Sequence, residues 1–513
     1  MMKGNNEALN TTNPDHLTFE SGMLQIAILG GIRLEGLDRM RATLKVQVEH
    51  LSLRHNLDLY NDTQVEKLIR KIAERLEVGT SVAAAALTEL TDELEAYRLK
   101  EIELKVQTQD KRKQLTTTEI KAAQQYLKAP NLMGRTMEDI GKAGVIGEEN
   151  NRLLMYLIFT SRKRDNPLHV ISFGSSGIGK THLQEKVSAL IPEEDKLEIT
   201  SLSGNAFYYF GQQELRNKLI LIEDLDGAEE VLYPLREIKS KKRITKTVVV
   251  KNTKGETRTV TLTVEGPVCV AGCTTKESLY EDNANRSFLI HIDESKEQDQ
   301  KIMSYQRKLS AGKIDSSEEH KIAELLKNTQ RVLKPVSIRN PYAEQLKIPD
   351  EVFKPRRSNA HYLAFIEAVT FYHQYQREEE TDKETGEVYI NTTLEDVEEA
   401  NQLMKEVLIR KSDPLNDAGR KYLEWLKAWL KMEGKTTFTN KEVRQFLRIN
   451  PSNQKRYMVQ LQEYDYVEKV AGEKGKPHEY RITELDEYEQ LKNGITGILD
   501  KIMSNLEGAK KQK

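Results

Sequence analysis

Apolar positions along the chain switch between a period of two and a period near 3.6, and the switches mark out successive α/β pieces. Residues 24–28 (LQIAI) and 42–48 (ATLKVQV) alternate in strand fashion, whereas 62–76 and 82–99 repeat at helical spacing. They predict a small N-terminal α/β domain over 18–105, after a polar tail over 1–17 that has few apolar anchors and reads as disordered. The charged run 99–119 lacks an apolar face and reads as an exposed connector, so a helical connector is expected over 106–146. Helical spacing resumes over 148–160. Short apolar runs at 170–173, 219–222, 268–272 and 289–292 then predict buried strands of a core over 147–335. Within it, 244–264 reads ITKTVVVKNTKGETRTVTLTV, two β-branched arms around Asn252-Thr253-Lys254-Gly255, and predicts a long β-hairpin. Further helices, including one over 362–377, predict a helical region over 336–412. Three helices at 418–431, 439–447 and 452–464, then two short strands around Gly472 to Lys476, predict a winged helix-turn-helix over 413–484. A helical tail is expected over 485–513.

Composition changes this picture in three places. Seventy-eight Lys and Arg stand against eighty Asp and Glu, so any nucleic-acid surface must be a local patch. The two cysteines, Cys269 and Cys273, lie in one apolar stretch without the second pair that a zinc site needs, and read as buried thiols in a reducing compartment. No apolar run approaches the ~20 residues of a membrane span, and the polar N-terminus has no signal-peptide core, so a cytoplasmic location is expected.

The chemistry concentrates at 168–181, LHVISFGSSGIGKT. This is the pattern G-x-x-x-x-G-K-[ST] set between a predicted strand and a helix carrying Leu183, Val187 and Leu190 at helical spacing. Gly174, Ser175, Ser176, Gly177, Ile178 and Gly179 would turn backbone N–H groups around a phosphate, with the cradle running on through His182. Lys180 would reach the β- and γ-phosphates of ATP, and Thr181 would offer a hydroxyl to Mg²⁺.

Some forty residues on, KLILIEDLD ends an apolar strand in acids, at the sheet edge where open α/β folds place ligands. Glu223 is assigned to the Mg²⁺ sphere and Asp224 to polarising the attacking water; the order Glu-Asp reverses the usual one, and the two roles remain exchangeable. Thr274, at the end of the next strand, would hold that water or the γ-phosphate, or simply end a strand. Arg286 would serve a neighbouring subunit's γ-phosphate. Lys246, Lys251, Lys254 and Arg258 on the hairpin equally suit DNA phosphates and protection of a sheet edge.

Together, the phosphate loop, I-E-D-L-D at 222–226, the inserted hairpin, Thr274 and N-R-S-F at 285–288 resemble AAA+ ATPases of the minichromosome-maintenance type. D-V-E-E-A-N-Q-L at 396–403 is similar to a lid helix of that family. NRLLMYLIFTSRKR and FIEAVTFYHQYQR resemble bacterial mobile-element and phage helicases often called DNA primases. The resemblance spans roughly 118–410 and implies an α/β P-loop fold with a helical lid, acting as a hexameric ring that translocates on DNA with the hairpin in its channel. It also implies Arg286 as the arginine finger and Arg356 or Arg357, ahead of the helix at 362, as the second-sensor arginine. Without a zinc-binding Cys cluster, primer synthesis would fall to a separate primase or initiator. In the C-terminal domain, Asn453, Gln454, Lys455 and Arg456 would face a DNA groove; such domains also serve as protein-docking modules. Two other functions fit the same core: a loader or remodeller of a replication protein, and an ATP-switched DNA-binding initiator.

Overall fold

The structure is a computed structural model. It describes residues 9–34, 39–109, 113–174, 176–200, 205–251, 257–275, 286–349, 352, 354–470 and 477–511, with backbone alone for 102–109, 229, 250–251, 257–258 and 509–511. The chain forms two compact units, 1–113 and 114–513.

In the first unit β1 (Leu9–Asn10), β2 (His16–Ser21), β3 (Leu24–Leu29), β4 (Arg41–Val48) and β5 (Leu51–Asp58) form an antiparallel sheet in chain order. Alternation explains its single buried face: Leu17, Phe19, Ile26, Ile28, Leu44 and Val46 point inward. Helix α1 (Asp62–Leu76) covers them with Leu68, Ile72 and Leu76, and α2 (Thr80–Gln109) completes the core. The charged run after residue 99 thus begins as a continuation of α2.

The second unit opens with α3 (Thr117–Lys128), α4 (Leu132–Lys142) and α5 (Glu149–Thr160). Every residue of α5 from Arg152 onward is buried, as expected of a helix apolar all round. Then follow β6 (Val170–Phe173), α6 (Lys180–Ser188), β7 (Lys196–Ile199), β8 (Lys218–Ile222), α7 (Leu232–Lys241), β9 (Arg243–Lys251), β10 (Thr257–Glu265), β11 (Val268–Thr274) and β12 (Phe288–His291). Among the described residues the core sheet is wholly parallel, in the order β12-β6-β11-β8-β7. Its strands are apolar without alternation because both faces are covered. Val170, Leu219, Leu221 and Ala271 pack with α5 on one side; Ile171, Ile220, Ile222 and Val270 pack with α7 on the other. The arms β9 and β10 pair with each other from Arg243↔Glu265 to Lys251↔Thr257, outside the core sheet.

Helices α8 (Lys296–Ser310) and α9 (Ser316–Val332) lead to β13 (Ser337–Arg339), α10 (Pro355–Tyr372), β14 (Glu379–Thr381), β15 (Val388–Asn391) and α11 (Leu394–Ser412). Last come α12 (Asp417–Glu433), β16 (Thr437–Thr439), α13 (Asn440–Leu447), α14 (Pro451–Glu463), β17 (Val467–Lys469), β18 (Glu479–Ile482) and α15 (Glu487–Lys511), with β18 between β16 and β17. Two expectations are corrected. Helix α10 begins at Pro355 behind the left-handed Lys354, so Arg356 and Arg357 sit in its first turn and not ahead of it. Gln454 faces inward, 2% exposed and donating to Asn440 and Tyr422, and so cannot face a groove. No described helix is long and apolar enough to cross a membrane.

Helices α10 and α11 are pinned by a buried ionic cluster. His373 lies with Nδ1 3.0 Å from Asp396 and Nε2 3.6 Å from Glu399. These three could hold a metal by spacing alone, yet Asp396 is already engaged by Arg377, the Thr393 N–H and the Thr370 hydroxyl, which makes the group an ion-pair network. Burial, reinforced by Glu395 and Asp396 and opposed by His373 and Arg377, raises the Glu399 carboxyl to about 7. A carboxyl raised by folding contributes stability while it holds its proton, and that contribution is lost as pH rises through about 7. The expected result is a fall in stability between about pH 4.5 and pH 7 of at most about 3 kcal/mol, at ~1.4 kcal/mol per pH unit, with no further fall from this group above pH 7. Glu399→Gln should flatten that limb. An equal slope in the variant would place the titration elsewhere.

Candidate nucleotide site

Strand β6 delivers its loop at the carboxyl edge of the sheet, flanked by β12 and β11. The loop's geometry requires glycine: Gly174, Gly177 and Gly179 all have positive φ, and a Cβ on Gly174 would stand 2.0 Å from Ile178 Cδ1. Gly179 caps α6, so Lys180 and Thr181 occupy its first turn, at the helix end that carries partial positive charge. Lys180 is 8% exposed and donates from Nζ to Gly174 O at 2.8 Å, across the loop it would share with a phosphate. Ser176 and His182 are exposed, Ile178 and Thr181 partly so; Ser175 lies outside the described residues.

Register places the acids. Ile222 pairs with Gly272 and Phe173 with Thr274, so Glu223 and Asp224 emerge two interstrand steps from the loop strand, about 10 Å. Both are exposed, and Asp224 Oδ1 accepts from the Asp226 N–H at 2.9 Å. Their supports are buried. Thr274, fully buried, donates its hydroxyl to Asp226, which also accepts from the Thr275 N–H at 3.1 Å and hydroxyl at 2.7 Å. Leu225 N–H donates to Cys273 O at 2.9 Å, and the Leu225 side chain fills the space where Gly272 lacks one. Gln184 of α6 donates to Ile222 O at 3.3 Å. The hydroxyl of Thr181 and the exposed carboxylates of Glu223 and Asp224 are oxygen donors of the kind Mg²⁺ takes. The residues therefore fit the ion.

Motif reading missed Cys273 as a neighbour of the site. It lies under the cradle, close to Thr181, Lys180 and Asp224, and burial pushes its thiol up to about 12. Also missed was a cavity of about 500 Å³ beside the loop, lined by Glu148, Asn151, His291, Glu294, Arg410 and Lys421 among others. Its residues come from positions scattered over 270 residues, and no motif links them.

Arg286 lies elsewhere. It precedes β12, whose first residue Phe288 pairs with Val170, the first of β6; the loop follows the last. The length of the strand, about 13 Å, separates Arg286 from the cradle of its own chain. There its Nε donates to Ser240 Oγ at 2.9 Å. Arg356 and Arg357 are exposed, and Arg357 lies near His361, whose ring stacks on Phe288 at 5.3 Å. The first turn of α10 is therefore at the Arg286 end of the sheet. On the hairpin, Lys246 bonds Asn205 and lies 5.3 Å over the Tyr208 ring. Lys254 and the side chains of Lys251 and Arg258 lie outside the described residues. Lys455 and Arg456 are exposed on α14.

Residues 117–335 match the family model described as the MTBMA_p00010 P-loop domain, so this stretch is a P-loop domain. No curated protein matches the chain. Among solved structures, a RuvB variant of Thermotoga maritima is 16% identical over 68% of this chain and 95% of its own, at a TM-score of 0.24. The C-terminal region of NrS-1 is 16% identical over 73% and 77%, at 0.22, and Drosophila ORC bound to DNA is 12% identical over 74% and 94%, at 0.23. Superpositions this loose carry no argument about function.

Burial of both cysteines yields a thiol prediction. Near pH 8 the native protein should leave Cys269 and Cys273 unmodified by a disulfide reagent, and both should react on unfolding. Fast modification of Cys273 in the native protein would mean that the space under the cradle is open to solvent.

Proposed function

We propose that this chain is an ATP-dependent DNA helicase or translocase of the AAA+ class, working as a ring of identical subunits. The observation that carries this reading is the separation of the cradle and Arg286 to opposite ends of one sheet. An arginine so placed can act only on a nucleotide held by another copy, and head-to-tail contacts between identical copies generate a ring when the rotation between them closes.

In this reading the loop N–H groups and Lys180 hold the phosphates, and the base enters the cavity between β12 and α11. Mg²⁺, held by Thr181 and by Glu223 through water, would neutralise phosphate charge. Asp224 orients the attacking water and takes its proton, while Thr274 acts through Asp226 to fix the loop that carries the acids. Arg286, with Arg356 or Arg357 from the same end of the sheet, meets the charge that develops on the neighbour's γ-phosphate. DNA would be gripped by Lys246, Lys251, Lys254 and Arg258 on the hairpin and by Lys455 and Arg456 on α14, a winged helix-turn-helix in this reading. A hexamer serving a mobile element or phage, with a separate primase or initiator, completes the proposal.

Two experiments test it. On a forked duplex with ATP, wild type should separate strands, Lys180→Ala should neither hydrolyse nor separate, and Lys251→Ala/Lys254→Ala should hydrolyse without separating. Hydrolysis that DNA does not stimulate, with no separation, would favour the loader. Subunit mixing tests the ring: Arg286→Ala and Lys180→Ala are each expected to be inactive. Mixed equally they should regain about a quarter of wild-type ATPase, the share of random interfaces that pair an intact cradle with an intact arginine. No recovery on mixing would contradict action in trans.

A further inference from the structure

Helix α12 reaches back to the nucleotide end of the P-loop domain. The ring of His291, the last residue of β12, stacks on Phe173, the residue that enters the phosphate loop, with centroids 5.6 Å apart and planes 20° apart. Its Nδ1 is buried, makes no hydrogen bond and faces Asp417 Oδ1 at 3.7 Å. Asp417 opens α12, and there it also meets Lys421 at 2.9 Å and Arg410 of α11. Lys421 in turn lies 3.3 Å from Glu294, which stands 3.6 Å from the place a Cβ on Gly174 would take. The first turn of α12 is thus joined both to the strand that feeds the cradle and to the cradle's first glycine. Burial works against the charge on Asp417, but His291, Arg410 and Lys421 outweigh it and keep the carboxyl ionised.

The other face of this turn touches α14. A Cβ on Gly419 would come within 2.4 Å of Gln460 Oε1, so the amide end of the Gln460 side chain of α14 lies directly against the backbone of α12. Helix α12 is also held firmly: Arg420 donates to both oxygens of Asp413, at 2.7 and 2.8 Å, and to Glu487 of α15 at 2.7 Å.

We propose that the C-terminal helical domain is a wall of the nucleotide pocket and reports its occupancy, the signal passing from the cradle through His291 and Asp417 to α12 and on to α14. The inference rests on the nucleotide-binding reading and extends it. A nucleotide in the cavity competes for Lys421, whose pair with Glu294 is partly exposed and therefore weak, and presses on His291. Such contacts differ between bound and free states, and that difference is what shifts a conformational equilibrium.

The two tryptophans of the chain, Trp425 and Trp429, both lie on α12, one exposed and one buried. Intrinsic fluorescence of the full chain therefore reads this helix directly, while titration calorimetry reads ADP·Mg²⁺ binding independently. Saturating ADP should change iodide quenching of wild-type emission by about 1.5-fold or more. Asp417→Asn should bind ADP within about threefold of wild type yet lose at least half of the fluorescence response. Binding heat without a change in wild-type emission or quenching overturns the coupling and leaves the nucleotide reading standing. Absence of binding heat in wild type sinks both. A full response in Asp417→Asn rules out the proposed relay. Should that variant not fold, the wild-type measurement decides alone.

Discussion

A short strand buried on both faces can offer polar chemistry only at its ends, and the second unit is built around that constraint. Val170 to Phe173 have no exposed side, so the chain must turn into a ligand-facing loop where β6 stops. Parallel neighbours impose the same rule on β8 and β11, whose carboxyl ends bring Glu223, Asp224 and Thr274 to the same edge as the cradle. The opposite edge receives what precedes β12, including Arg286. Sheet direction therefore sorts the cis and trans halves of the proposed chemistry before any side chain is chosen.

The edge is also preorganised. Exposed acids would be poor instruments on a loose loop, but theirs is tied down by groups that never meet solvent. Thr274 spends its hydroxyl on Asp226, Leu225 fills the space that Gly272 leaves, and Gln184 links the cradle helix to the last carbonyl of β8. Fixed first contacts backed by a packed support are what a charge-stabilising site needs, since orientation is then settled before the reaction begins.

What could be read from sequence follows from how local each signal is. The cradle, the acid-ended strand and the hairpin arms are contiguous, and their elements appear where the periodicity places them. Strand β5 escaped because His55 and Asn56 interrupt its alternation, and β7 because KLEI is short and half polar. Periodicity alone starts α10 too late because its first turn, Pro355-Arg356-Arg357, has no apolar residue to begin the period, although proline at a helix start is itself a signal. Gln454 reads as outward-facing with its polar neighbours, yet helical phase turns it toward Tyr422. The contacts of His291 with Asp417 and of Glu294 with Lys421 join residues more than a hundred positions apart, and spacing rules hold nothing at that range.

The placement of the C-terminal domain decides whether such contacts can matter mechanically. A domain on one flexible linker would let a push at Asp417 dissipate. Here the domain has its own core, around Tyr422, Leu426, Met458 and Leu461, but the helices before and after it, α11 and α15, pack into the cluster that also holds α5 and Val170. The chain thus enters and leaves the domain through the same packed core. Close-packed interiors shift between discrete arrangements and yield little in between, so a displacement of α11 against β12 must carry α12 with it.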